Sequence, residues 1–216
     1  MMVRNYASLM LMAACASPTA VGTQSTMSRP EGGPRADAQL ATYARTDPAP
    51  VPAERLIHLI QPLGQPISPE ALAQLAAFIR WYERDPFDPR IGMNLELSVR
   101  ATLLGWLTES PDVSVTITNV LGELMEHRGE GSDQLNANTT MGSLFGMASH
   151  AIEHPEYTPE SFERMVAGVS SALRWYTAAL ARGGARSTIL DELVAAEAQG
   201  QLAEVFNRRV RELQGS

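Results

Sequence analysis

The sequence predicts an all-α domain over residues 53–216, built of helical hairpins packed as a bundle. Apolar residues there recur at i, i+3, i+4 and i+7 in almost every segment, the spacing that lays one apolar stripe along a helix. Helix-start signals recur as well: a hydroxyl residue, then proline, then an acid, at Ser68-Pro69-Glu70, Ser110-Pro111-Asp112 and Thr158-Pro159-Glu160. The hydroxyl accepts from a first-turn amide, proline has no amide to lose, and the acid sits at the positive end of the helix dipole. Cysteine supplies the third observation. Cys15 is the only one among 216 residues, so a domain beyond it has no internal disulfide and no Cys-based zinc or iron–sulfur site.

In chain order the first element is residues 1–14. Arg4 precedes a short apolar run over 6–14 that ends in small residues, the layout of a secretory signal peptide and too short to span a bilayer. Leu11-Met12-Ala13-Ala14-Cys15 resembles the lipobox of bacterial lipoproteins. The resemblance implies that 1–14 is removed and that Cys15 is lipidated and anchors the chain to a membrane. With Ala16 following in place of Asp, it also implies an outer-membrane lipoprotein facing the periplasm. Ala14-Cys15-Ala16 has the A-x-A form of an ordinary cleavage site too. A cut there discards the cysteine and leaves a secreted periplasmic protein, while an uncut segment leaves a cytoplasmic one.

Residues 15–52 follow as a linker. Six prolines and three glycines fall within 17–52, with almost no large aliphatics, so this stretch cannot bury enough apolar area to offset the entropy of ordering it. A chain of this composition has a root-mean-square span of roughly 35 Å. The sequence therefore reads as anchor, tether and helical head.

Within the head, Leu72, Leu75, Ile79 and Tyr82 continue the helix opened at Ser68, and Asp85-Pro86-Phe87-Asp88-Pro89 ends it. A helix over about 90–108 places Leu95, Val99, Leu103, Trp106 and Leu107 on one side. After Ser110-Pro111-Asp112 the residues Val113, Ile117, Val120, Leu121, Leu124 and Met125 keep the helical rhythm, although 113–117 alternates as a strand does; the cap and the longer periodicity favour helix. A polar loop over 129–138 precedes a helix over 139–154 stopped by Pro155. The next helix starts at Thr158-Pro159-Glu160, carries Phe162, Met165, Val166, Val169, Leu173, Tyr176 and Leu180, and ends at Gly183-Gly184. Two shorter helices, about 188–199 and 201–214, are divided by Gly200.

Short motifs recur along these helices. Thr102-Leu103-Leu104-Gly105-Trp106 is echoed by Ser143-Leu144-Phe145-Gly146-Met147, and Arg80-Trp81-Tyr82 by Arg174-Trp175-Tyr176. Ala172, Leu173, Tyr176, Ala179 and Leu180, with the ending at 82–86, resemble tetratricopeptide-type repeats. That resemblance implies a short TPR-like solenoid with a peptide-binding groove between hairpins; a non-repetitive bundle satisfies the same periodicity.

Charge narrows the function. The chain carries −7 and holds no lysine, which disfavours nucleic acid as a partner, since phosphate backbones are bound by clustered cations. His150-Ala151-Ile152-Glu153-His154 spells H-x-x-E-H, in which two histidines one turn apart bind zinc and the glutamate activates water, so His150, Glu153 and His154 are the candidate metal residues and a metal-dependent hydrolase is the enzymatic alternative. Pro155, directly after the motif, ends the helix where the resembled enzymes continue it. No cofactor and no catalytic residue is otherwise indicated: no G-x-S-x-G elbow accompanies Ser143 or Ser149, and no histidine follows a glutamate by three residues as ferritin-like sites require. Gly142 and Gly146, with Trp81 and Trp175, mark either close helix packing or an interaction surface. The leading expectation is a tethered helical module that binds another envelope protein or a peptide, and a purely structural envelope protein is the remaining alternative.

Overall fold

Helix α1 (Ala53–Leu59) is the first described helix, with Pro52 standing at its N-cap. The computed structural model describes residues 48–88, 93–118, 121–123, 126–127 and 131–215, of which 93–98 are described in backbone only. Cys15, the lipobox-like run and the linker up to residue 47 lie outside the described residues, as do Val120, Leu124 and Met125 and the side chain of Leu95.

The described fold is all-helical, with no strand among the described residues. After α1 come α2 (Pro69–Arg84), α3 (Met93–Glu109), α4 (Ser132–Glu153), α5 (Phe162–Leu180), α6 (Thr188–Ala198) and α7 (Leu202–Gln214). Ser68 caps α2 by accepting from Ala71 N at 3.2 Å. In the same way Ser161 caps α5 from Arg164 N at 3.3 Å, and Ser187 caps α6 from Leu190 N at 3.4 Å. The cap of α5 lies after the Thr158-Pro159-Glu160 signal, which instead forms a turn closed by Ser161 N on Thr158 O.

Helices α4 and α5 form an antiparallel hairpin that is the common wall of two apolar cores. On one side Phe145, Ala148, Ala151 and Trp175 pack with Leu56, Leu75, Phe78, Ile79 and Tyr82, and with Val99, Leu103 and Trp106 of α3. On the other, Met147, Val169, Ala172, Leu173 and Tyr176 pack with Leu190, Leu193, Val205 and Phe206 of α6 and α7. The wall is thin because its crossing is made of small residues. A Cβ on Gly142 would stand 2.8 Å from the Trp175 ring, one on Gly146 would stand 2.7 Å from Ala167 O, and one on Gly168 would stand 2.7 Å from Met147 Cγ. Trp175 is fully buried, in edge contact with Tyr82, Phe87 and Phe145, and the Arg100 guanidinium lies 4.8 Å from its ring centre.

Two segments depart from the sequence expectation. Residues 113–118 are not helical. Ser110 Oγ accepts from Asp112 N and Val113 N, which closes a local turn in place of a helix cap, and Asp112 Oδ2 accepts from Ile67 N at 3.0 Å. The run that follows is rich in β-branched residues, whose restricted side chains weaken the helix, and it takes up no regular secondary structure. The expected polar loop before residue 139 is instead the first part of α4, starting at Ser132. There Asn136 turns outward from the helix and pairs with both backbone groups of His127, at 2.8 and 2.9 Å, so its polarity serves a tertiary contact.

Tyr176 ties α5 to the start of α6. Its hydroxyl accepts from Ser187 N at 2.9 Å and donates to Asp191 Oδ1 at 2.8 Å. Burial, with the Asp191 carboxylate beside it, pushes its ionisation up to about 12 from 10.0. A raised native value means that the folded state keeps a proton the unfolded chain gives up, so this contribution is intact below pH 10 and is lost as pH climbs from there through about 12. In a chain without lysine this alkaline limb is readable. The urea midpoint is expected to fall over that window, and Tyr176→Phe is expected to flatten the fall while lowering the midpoint at pH 8; equal slopes in the two proteins would refute the assignment.

Candidate functional site

The second half of α2, one residue of α5 and the chain entering α1 enclose an open cleft of about 600 Å³. Its lining is Pro48, Pro50, Ala77, Arg80, Trp81, Glu83, Arg84 and Arg174. Three arginines against one glutamate make this a locally cationic place on an acidic chain. The helical period explains the grouping: Ala77, Arg80, Trp81 and Arg84 fall on one face of α2, and Arg174 reaches the same spot from α5.

Glu83 is the floor of the cleft and is 1% exposed. Its Oε2 accepts from Arg174 Nη1 at 3.0 Å and stands 3.5 Å from Arg80 Nη1. Arg80 in turn grips Glu153 of α4, with Nη2 at 2.7 Å from Oε2 and Nε at 3.2 and 3.3 Å from the two carboxylate oxygens. Arg174 Nη2 donates to Ser170 Oγ at 3.0 Å, and Ser170 donates to Glu197 of α6. A continuous polar chain, Glu153, Arg80, Glu83, Arg174, Ser170 and Glu197, thus joins α4, α2, α5 and α6. Burial pushes the Glu83 carboxyl above the usual carboxylate range, and the neighbouring Arg80 and Arg174 charges oppose that rise. The Ser171 hydroxyl also faces the Glu83 carboxylate and favours its charged form. Arg80 meets Glu153 with its paired Nε and Nη2 donors, the fork geometry by which a guanidinium fits a carboxylate.

The H-x-x-E-H residues lie at the far end of α4. His150 and His154 come together, ring centres 4.7 Å apart, with the Tyr157 ring 5.5 Å from His150. His154 Nδ1 is 3.3 Å from Glu156 Oε1. Burial, then the charges of His154 and Arg164, hold His150 below the usual histidine value. Glu153 belongs to the other network: its carboxylate is taken by Arg80, so it is not held ready to activate water. Among the described residues no group of three His, Cys, Asp or Glu side chains stands together in a way that holds a metal ion.

Gly142 and Gly146 lie inside the α4–α5 crossing, and Trp175 is in the core; of the four residues marked as packing or interaction surface, Trp81 reaches the cleft, 7% exposed. Glu83, Arg84 and Arg174 were not among the residues singled out as a site, although Arg80-Trp81-Tyr82 and Arg174-Trp175-Tyr176 carried the signal. Each triplet sends its arginine to Glu83. No described helix is long and apolar enough to cross a membrane. Comparison with protein-family models, with curated proteins and with solved structures finds no match.

Proposed function

We propose that the chain is a tethered interaction module: an outer-membrane lipoprotein, anchored through Cys15 and facing the periplasm, whose helical head binds a carboxylate-bearing peptide segment of another envelope protein. The observation that carries the reading is the arginine-lined cleft. Its walls join an indole and proline rings, which suit an apolar side chain, to guanidinium groups that suit an acidic one. Residues of the Glu83 network brace those groups from several helices, so they lose little freedom when a ligand arrives. Pro48 and Pro50, which line the cleft, are also the end of the stretch whose composition reads as tether, so the head's binding face lies where the linker joins it.

Both halves are read on the native protein. The N-terminal mass is expected to be that of an acylated Cys15 with residues 1–14 removed; a chain beginning at Met1 or at Ser17 overturns the anchor. A fluorescent peptide of alternating glutamate and leucine is expected to bind at least about tenfold, or roughly 1.4 kcal/mol, tighter than its glutamine counterpart. The preference should weaken with salt and vanish in Arg84→Glu. Equal binding of the two peptides, or a preference untouched by Arg84→Glu, overturns the cleft.

A further inference from the structure

Pro155, which ends α4 where the zinc hydrolases continue it, gives the two histidines before it a setting of their own. His154 N donates to His150 O at 2.8 Å, so the last turn of α4 holds the pair at i, i+4 spacing right up to the proline. The chain then folds back, Tyr157 N donating to His154 O at 3.3 Å, and brings Glu156 and Tyr157 against the two rings. His154 Nδ1 stands 3.3 Å from Glu156 Oε1, and a carboxylate there draws the ring proton to Nδ1 and leaves the lone pair on Nε2. His150 buries its Nδ1, so Nε2 is the nitrogen it offers to a ligand. Neither Nε2 has a hydrogen-bond partner among the described residues. Arg164, whose charge reaches His150, spends Nη1 on Ser114 O and Nη2 on Tyr157 O, and the Glu156 carboxylate offsets that charge beside the pair.

We propose that His150 and His154 bind one copper(II) ion through their Nε2 atoms, with Glu156 orienting His154 and water filling the remaining positions. Metal–imidazole bonds of about 2.0 Å at right angles put two nitrogens about 3 Å apart. Rings whose centres are 4.7 Å apart and whose planes are tilted by 38° reach that separation by small rotations, which His154, its side chain 50% exposed, can make. The donor set selects the ion. It consists of two imidazoles, without a thiolate and without Glu153, whose carboxylate Arg80 holds. Calcium and magnesium require oxygen ligands. Structural zinc takes four protein ligands and catalytic zinc three, and the non-haem iron triad needs a carboxylate beside its two histidines. Copper(II) stands at the top of the divalent affinity order, and its tetragonal coordination accepts two adjacent nitrogens with water completing the plane.

The test uses the full chain carrying Cys15→Ser, so that copper meets no thiol. Titration with copper(II) is expected to show one ion per chain bound with a Kd below about 10 µM, and zinc at least about tenfold weaker. The electron paramagnetic resonance spectrum should carry the splitting of two imidazole nitrogens. Saturating copper clamps the last turn of α4 and should raise the thermal midpoint by about 3 °C or more. His150→Ala and His154→Ala should each weaken binding at least tenfold and abolish the thermal shift, and Glu156→Gln should weaken it several-fold. His154 is exposed enough for its variant to keep the circular dichroism spectrum of the parent, which leaves the test intact if His150→Ala fails to fold. The chain's other two histidines are the controls, and His58→Ala and His127→Ala should change nothing. A Kd weaker than about 10 µM overturns the proposal. So does zinc binding as tightly as copper(II), a spectrum without two imidazole nitrogens, or copper binding indifferent to His154→Ala.

Discussion

Gly146→Leu is expected to lower the thermal midpoint of the head by about 10 °C or more, the loss that roughly 3 kcal/mol produces in a domain of this size. The cause is the crossing of α4 and α5. A Cβ at residue 146 would lie 2.7 Å from Ala167 O and 3.2 Å from Gly168 Cα, as well as against Ser171 Cβ, so most of what it meets is the backbone of α5. A flexible side-chain tip can swing aside; a helix backbone must be displaced, and here it carries the wall of both cores. Overpacking in a closed core costs typically about 1–3 kcal/mol, and a leucine adds atoms beyond the first clash. Gly146→Ala should cost less, because alanine regains close to about 1 kcal/mol of helix propensity over glycine. Gly105→Ala is the control. There the contact within reach is Leu63 Cδ1 at 3.2 Å, the end of a mobile side chain, so the propensity gain is expected to leave that variant as stable as the parent or more so. Thermal melts followed by circular dichroism decide it. A Gly146→Leu protein melting within about 2 °C of the parent would mean that α4 and α5 do not cross at these residues.

The all-α class, the bounds of α2 and the two C-terminal helices were legible because local chemistry and tertiary demand agree there: a serine that caps, a stripe that buries, a glycine that stops. Legibility failed where a side chain serves a distant partner. Ser110 has the residue type of a cap and follows α3 directly, yet its hydroxyl closes a turn, the β-branched residues beyond it are not helical, and Ser114 O accepts from Arg164, 50 positions later in the chain. Asn136 lowers the helical signal of 129–138, and its amide pairs with the backbone of His127, nine positions earlier, a contact that helical periodicity does not report. The candidate site divides in the same manner. The H-x-x-E-H spacing does bring two histidines together, as an i, i+4 pair must, but the spacing cannot say that Glu153 turns to Arg80, 73 positions earlier in the chain. The repeated Arg-Trp-Tyr triplets were visible as a repeat. Their convergence on one buried glutamate required knowing that α2 and α5 are neighbours.

Glu83→Lys is the second large effect. It is expected to cost more than about 3–5 kcal/mol, the loss that follows when one partner of a buried ion pair is removed. The site is 1% exposed, and the new ammonium would stand beside the Arg80 and Arg174 guanidinium groups with no anion between them. Their side chains are 33% and 26% exposed, so both can turn partly to water, which sets a limit on the repulsion but not on the cost of burying the lysine. Glu83→Gln separates charge from shape. It keeps the volume and an oxygen for Arg174, and should lose only about 1–2 kcal/mol, the difference between a charge-assisted hydrogen bond and a neutral one. The same substitution removes the one glutamate among the cleft's lining residues. An acidic peptide should therefore bind Glu83→Gln several-fold more tightly than the parent while the protein itself unfolds at lower urea. Stability and affinity moving in opposite directions mark Glu83 as the group that braces the arginines at the expense of their attraction for a ligand. If binding weakens together with stability, the arginines are held for packing alone and the cleft reading fails with them.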